Sequence, residues 1–275
     1  MRGLMEEKKV VLVDFWTYSC INCQRTIPYL KQWWEKYKEK GLVIVGVHSP
    51  EFEFEKDTDN VKTALRRYGV TWPVVQDNEM KIWNAYANHY WPAKYLVAQG
   101  KIIYTHFGEG NYEETESKIR EELKKLGYEV DSMPMGSDNG AASGGFDISP
   151  ETYVGYDRGR YGNPDQIQED KLKVYEIKGM VGRDAVYLGG EWTQHSEYGE
   201  AGKGAELVYR FKAGEVNLVM RGAGKVKVLI DGKETKTVEI EDSDLYNLYK
   251  GGVMEAEMKL IFDSGVMAYA FTFGQ

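Results

Sequence analysis

Both cysteines of this chain, Cys20 and Cys23, fall in one segment, Asp14–Pro28, which reads Asp-Phe-Trp-Thr-Tyr-Ser-Cys-Ile-Asn-Cys-Gln-Arg-Thr-Ile-Pro. An apolar run, Val10 to Val13, leads into it, and an amphipathic stretch, Ile27 to Tyr37, leads out. This pattern predicts strand, turn and helix, with Cys-x-x-Cys at the turn. Thiols so spaced on the first turn of a helix can close a disulfide with little backbone movement. The helix N-terminus carries partial positive charge and free N–H groups, which favour a thiolate. Cys20 is therefore expected to be the exposed nucleophile and Cys23 the resolving thiol. A structural zinc needs four ligands. The histidines, His48, His89, His106 and His195, form no pair at metal spacing. The expectation is a redox-active disulfide with no metal and no other cofactor.

The surrounding pattern places this motif in an α/β unit. Val10–Trp16 and Leu42–His48 read as strands buried on both faces. Cys20 to about Lys40 reads as the crossover helix between them, which Gly41 ends. Asp57 or Asp59 can cap a helix running to Tyr68, and Gly69 ends it. Trp72–Gln76 reads as a short strand and Glu79–Ala87 as a short helix. Ala93–Ala98 and Ile102–Phe107 read as a hairpin around Gln99-Gly100. Tyr112–Leu126 reads as a last amphipathic helix. Residues 131–149 are small and flexible in character and predict a linker between domains 1–130 and 150–275.

Beyond Pro150 the helical periodicity ends. Short strand-like runs follow at Ala185–Leu188, Leu207–Phe211, Val216–Met220, Val226–Ile230, Thr235–Ile240, Glu255–Ile261 and Val266–Phe273. Turns such as Ala213-Gly214 separate them, and Asp244–Lys250 reads as a crossing strand or a short turn. The spacing predicts an all-β sandwich or jelly roll.

Net charge is −8, from 35 basic and 43 acidic residues, which argues against nucleic acid as a partner. No apolar run approaches the roughly 20 residues that span a bilayer. The first nine residues do not read as a signal peptide. The chain is expected to be either a soluble piece of a larger membrane protein or a short stand-alone form.

The run Val11-Leu12-Val13-Asp14-Phe15-Trp16, then Cys20-x-x-Cys23 and Pro28, resembles thioredoxin in order and spacing. Trp16–Thr26, Val45–Phe52, His89–Val97 and His106–Glu116 are similar to the DipZ-type, TlpA-like thioredoxins, which are extracytoplasmic thiol–disulfide proteins. The segments Pro150–Tyr156 and Gly265–Gly274 resemble the C-terminal domain of DipZ proteins, itself similar to a carbohydrate-binding module.

The resemblance implies that Asp14 lies buried behind the disulfide and that Pro28 kinks the active-site helix. A buried acid without a partner has a raised pKa, which suits a general base for the Cys23 thiol. Glu51 falls where TlpA-like proteins place an active-site acid and is expected to share that role. Pro92 is the expected cis-proline facing the disulfide, and the backbone of Trp91 is expected to pair with an extended substrate. Tyr18, with Phe52 and Trp91, is expected on an apolar rim that receives a partner's cysteine. His106 and Glu109 match the family but are read as structural. Tyr153, Tyr156, Tyr187 and Trp192 are candidates to stack on a glycan.

The leading expectation is a thiol–disulfide oxidoreductase that reduces extracytoplasmic protein disulfides. The resemblance implies a membrane electron donor of the DsbD/CcdA kind and a task in cytochrome c biogenesis or disulfide repair. Ile21 and Asn22, between the cysteines, favour a reductant over an oxidant. A thiol peroxidase, and a glycan- or protein-binding adaptor on a thioredoxin scaffold, are the alternatives.

Overall fold

The computed structural model describes residues 9–131, 134–136, 147–163 and 167–275. Of the expected linker 131–149, residues 132–133 and 137–146 lie outside the described residues. The chain divides into two compact units, Met1–Gly144 and Gly145–Gln275.

The first unit is built on a five-stranded sheet in the order β3-β2-β1-β4-β5. Its strands are β1 (Val10–Trp16), β2 (Leu42–His48), β3 (Val74–Gln76), β4 (Ala93–Ala98) and β5 (Lys101–Phe107). β1 runs parallel to β2 and antiparallel to β4, so it is the central strand. All seven of its residues are buried, which explains its near-continuous apolar run. Val11, Val13 and Phe15 point into one core, with Val47, Trp83, Ala93, Tyr95 and Val97. Strand alternation sends Leu12, Asp14 and Trp16 to the opposite face.

Helix α1 (Ile21–Tyr37) begins at Cys20, and a left-handed Gly41 (φ +88°) follows its final 3₁₀ turn. Helix α2 (Thr58–Tyr68) is capped by Asp57 rather than Asp59, because the Asp57 carboxylate accepts from the Asp59 and Asn60 amides at 2.8 and 3.4 Å. Helices α3 (Lys81–Ala85) and α4 (Tyr112–Lys125) complete the unit.

The second unit is all-β. Its strands are β6 (Thr152–Tyr153), β7 (Leu172–Tyr175), β8 (Val186–Gln194), β9 (Gly199–Ala201), β10 (Glu206–Arg221), β11 (Gly224–Ile230), β12 (Lys233–Ile240), β13 (Asp244–Phe262) and β14 (Met267–Gly274). One nine-stranded hydrogen-bonded network joins them. Residues from both ends of that network, Ile240 of β12 and Tyr175 of β7 among them, meet in a single core. The sheet must therefore curl over on itself.

The expected turn at Ala213-Gly214 is not a turn: Leu207–Phe211 and Val216–Met220 belong to one strand, β10. Of the two alternatives for Asp244–Lys250 the structure has the strand, continuous with Glu255–Ile261 in β13. The register of β10 on β13 shifts between Ala213 and Glu215. That bulge exchanges the inward parity: Leu207, Tyr209, Phe211 and Ala213 face the core before it, and Val216, Leu218 and Met220 after it. Gly214 marks a bulge rather than a reversal. The short strands β6, β7 and β9 had no sequence expectation.

Candidate active site

The site is built where β1 ends and α1 begins. Cys20 is the N-cap of α1, with extended backbone angles, and its Sγ accepts from the Cys23 amide at 3.3 Å. Its own amide donates to the Thr17 carbonyl at 3.4 Å. Cys20 is half-buried, whereas Cys23 is only 1% exposed. Both are thiols in this structure. Burial, then the contact with Cys20, pushes the Cys23 thiol well up from its ordinary value. The arrangement exposes one sulfur for attack and keeps the other protonated behind it.

Asp14 is 3% exposed, and its Oδ1 has no hydrogen-bond partner among the described residues. Burial raises its carboxyl to about 7, and the charge of Lys94 partly offsets that rise. Asp14 and Lys94 are register partners across β1 and β4. Lys94 is fully buried, and its Nζ donates to the Gly108 carbonyl at 3.1 Å. Asp14 and Lys94 belong to the same electrostatic environment as Cys23.

Glu51 is half-buried, and the carboxylate bound to the cysteine loop belongs to Glu55 instead. Glu55 is fully buried and accepts from Ser19 Oγ at 2.6 Å and from the Ser19 amide at 3.4 Å. It also accepts from the Glu51 and Phe52 amides at 2.6 and 3.0 Å. Burial raises its carboxyl, with these hydrogen bonds opposing.

The Trp91–Pro92 peptide bond is cis. Trp91 is half-buried, its Nε1 donates to the Ser49 carbonyl at 3.0 Å, and its ring lies 4.2 Å from that of Trp83. The Pro92 carbonyl accepts from the Gly108 amide at 2.7 Å. The rim expected of Tyr18 and Phe52 needs correction. Tyr18 is 2% exposed and stacks on His48 at 5.7 Å, and Phe52 is 1% exposed and stacks on Phe54. Their rings are packed inside, so neither is offered to a partner.

His106 Nε2 lies 3.2 Å from the Glu109 carbonyl oxygen, and Glu109 forms an ion pair with Arg25 of α1 at 3.3 Å. The motif thus ties the loop after β5 to the cysteine-bearing helix.

The glycan-stacking candidates separate. Trp192 is fully buried and Tyr187 is 7% exposed, so both are core residues. Tyr153 and Tyr156 are half-exposed, and the Arg158 guanidinium sits 3.6 Å from the Tyr153 ring centroid. These four rings do not form one platform.

Sequence reasoning missed Glu55 and Lys94. Lys94 carried a signal: it is the single charge within the apolar strand Ala93–Ala98, and a charge there needs a counter-charge. Glu55 carried none, since Glu51, Glu53 and Glu55 alternate along the same loop.

The chain is similar to several known proteins. Residues 149–274 match the family model described as a thioredoxin like C-terminal domain, and residues 3–105 match the AhpC/TSA family. Protein DipZ of Mycobacterium tuberculosis is 33% identical over 272 residues, covering 97% of this chain and 39% of the relative. Thiol-disulfide oxidoreductase ResA of Bacillus anthracis is 30% identical over 113 residues, covering 41% of this chain and 62% of the relative. A putative thiol:disulfide interchange protein DsbE from Chlorobium tepidum is 26% identical with a TM-score of 0.39, covering 43% of this chain and 84% of that one. The chain therefore spans about two fifths of the length of the DipZ relatives it matches from end to end. Among the described residues, no helix is long and apolar enough to cross a membrane.

Proposed function

We propose that the chain is a member of the DipZ-type branch of the thioredoxin family, to one of whose proteins it is 33% identical over 272 residues, and that it reduces protein disulfides through Cys20 and Cys23. Cys20, as thiolate, attacks one sulfur of a partner's disulfide. A Cys20–partner disulfide forms, and the partner's other sulfur leaves as a thiolate. Cys23 then gives its proton to the Asp14 carboxylate and attacks Cys20. The Cys20–Cys23 bond forms, the mixed disulfide breaks, and the partner leaves with two electrons gained. Pro92 and the Trp91 backbone receive the partner chain, and Glu55 holds the Ser19–Cys20 turn in place.

The observation that carries this reading is the asymmetry of the two thiols. The exposed sulfur sits at a helix N-terminus, on the Cys23 amide, and the resolving sulfur is buried beside an acid titrating near neutrality. In the finer reading the oxidised pair is reset by a membrane electron donor of the DsbD/CcdA kind, outside the cytoplasm, and the targets serve cytochrome c biogenesis or disulfide repair. A glycan ligand for the second unit belongs to the same proposal.

Reduction of a disulfide-bonded model protein, followed by acid trapping, tests it. Cys20→Ser is expected to abolish turnover. Cys23→Ser is expected to accumulate a mixed disulfide on Cys20. Turnover that survives Cys20→Ser would sink the reading.

A further inference from the structure

The rings expected to stack on a glycan form no common platform, but the second unit holds a cleft elsewhere, between β12 and β13. Its volume is about 540 Å³, within the roughly 300–1,000 Å³ of small-ligand sites. Ile230, Tyr249 and Met254 line it, and all three are half-buried and pack against the core of the unit. The Tyr249 ring lies 5.8 Å from that of the buried Phe211, and its hydroxyl donates to the Gly252 carbonyl at 2.8 Å. The ring is therefore anchored at both ends.

Around this apolar base stand three lysines, Lys233, Lys236 and Lys250, and no acidic side chain lines the cleft among the described residues. The β11–β12 hairpin produces this segregation. Its register slips at Thr235, because Val228 faces Lys236 while Leu229 faces Glu234. The extra residue exchanges the parity of the strand. Lys236 lies on the inward row with Val238 and Ile240, which meet the core. Beyond the bulge Lys233 also lines the cleft, whereas Glu234 pairs with Lys227 at 3.2 Å. Glu239 pairs with Lys225 at 2.9 Å. The acids of β12 thus neutralise the lysines of β11 and leave Lys233 and Lys236 to the cleft. Lys236 Nζ donates to the Asn247 carbonyl at 2.6 Å, and burial lowers its pKa. Lys250 meets Glu215, its register partner, only at 3.9 Å. A half-buried ammonium held by a neutral oxygen gains from an anion beside it.

We propose that this cleft binds a carboxylated saccharide, with a sugar ring on Tyr249 and Met254 and its carboxylate on Lys233 and Lys236. The inference rests on the glycan reading of the second unit and deepens it, giving that ligand a charge and a place. A uronate ring offers an apolar C–H face to an aromatic surface and a carboxylate to the ammonium groups. Its hydroxyls can meet Asn247 Oδ1 and the lone pairs of Thr235, whose hydroxyl donates to the Val228 carbonyl at 3.2 Å. A neutral sugar would leave the lysines uncompensated. An acidic peptide would bring carboxylates without the flat apolar face.

The test is calorimetric titration of the full chain with a galacturonic acid trimer, with the methyl ester of that trimer, and with hexaglutamate. The free trimer is expected to bind, more weakly as salt is raised. Its ester, which has the shape without the charge, is expected to bind about tenfold more weakly, a difference of about 1.4 kcal/mol. Lys233→Met and Lys236→Met are each expected to weaken binding of the free trimer to a similar extent. Tyr249→Ala is expected to weaken the trimer and its ester alike. Lys227→Met, which removes a lysine of the same hairpin that lies outside the cleft, is expected to leave the affinity unchanged. Equal binding of trimer and ester, or a loss in Lys227→Met as large as in Lys236→Met, would overturn this inference and leave the glycan reading standing. Binding of hexaglutamate in place of the trimer, or of neither saccharide, would defeat the glycan reading as well. Should Lys236→Met not fold, the wild type still decides. The trimer is expected to protect Lys233 and Lys236 from reductive methylation, read by mass spectrometry, and labelling that is equal with and without it overturns the proposal.

Discussion

Ser19 Oγ donates to Glu55 Oε1 at 2.6 Å, joining the residue before the nucleophile to a fully buried carboxylate 36 positions later in the chain. The bond spans the end of β1 and the 3₁₀ turn Glu53–Lys56. Glu55 also accepts from two backbone amides of its own loop. One carboxylate thus satisfies donors from both loops beside Cys20. Glu55→Ala leaves those donors buried and unpaired, which costs about 2 kcal/mol or more. The expected outcome is a lowered midpoint for denaturant-induced exposure of Cys23, read by alkylation, since Cys23 is buried until the first unit opens. Ser19→Ala, which removes one bond and leaves the amides bound, is expected to cost only about 1 kcal/mol.

Stability should depend on pH through Asp14 and His48 with opposite signs. Burial raises the Asp14 carboxyl from 3.8 to about 7. Between those values the folded chain holds a proton that the unfolded chain has lost, so stability falls as pH rises through this window. Burial lowers His48 from 6.5 to about 4. There the unfolded chain holds the extra proton, so stability is lost as pH falls from about 6.5 towards 4. Asp14→Asn is expected to stabilise the first unit at about pH 8 by a few kcal/mol, at about 1.4 kcal/mol per pH unit of displacement. Near pH 3.5 the advantage should vanish. An equal effect at both pH values, in urea titrations read by Cys23 alkylation, would contradict the assignment.

The reduction potential of the Cys20–Cys23 pair is expected near that of thioredoxin, at about −270 mV. Ile21 and Asn22 lie between the cysteines, and the nearby Arg25 is engaged with Glu109. Equilibration with a thioredoxin-range redox buffer and thiol alkylation measures the potential. A value near the oxidising extreme, about −120 mV, would make the protein a disulfide donor instead.

Gly190 separates the two units experimentally. It has φ +74°, and a Cβ there would lie 2.0 Å from the Gly204 carbonyl oxygen, a backbone atom. Gly190→Ala is expected to destabilise the second unit by about 2 kcal/mol or more, through strain at positive φ and the close approach. The reactivity of Cys20 in the first unit is expected to stay within twofold. Thermal unfolding with parallel Cys20 alkylation checks both halves of that statement.

The sequence by itself determined what depends on neighbours in the chain. Strand β1 and helix α1 followed from an apolar run, a Cys-x-x-Cys and a glycine stop, because burial and capping are written locally. The same holds for the glycine end of α2 and for the thioredoxin-like order of elements, whereas the choice of Asp57 over Asp59 as the α2 cap came from the structure. Tertiary structure decided what depends on distant partners. Glu51, Glu53 and Glu55 share one local pattern, and only Ser19, brought across by the fold, selects Glu55. Lys94 interrupts an apolar strand and is tolerated because β4 lies against Asp14 on β1. Tyr18 could face solvent or core on sequence grounds, and His48 from β2 settles it inside. In the second unit the Ala213-Gly214 signal that reads as a turn falls within β10, because β13 pairs with that strand on both sides of its bulge. Helix caps and strand periods are short-range, whereas counter-charges, stacking and strand register exist only once distant segments meet.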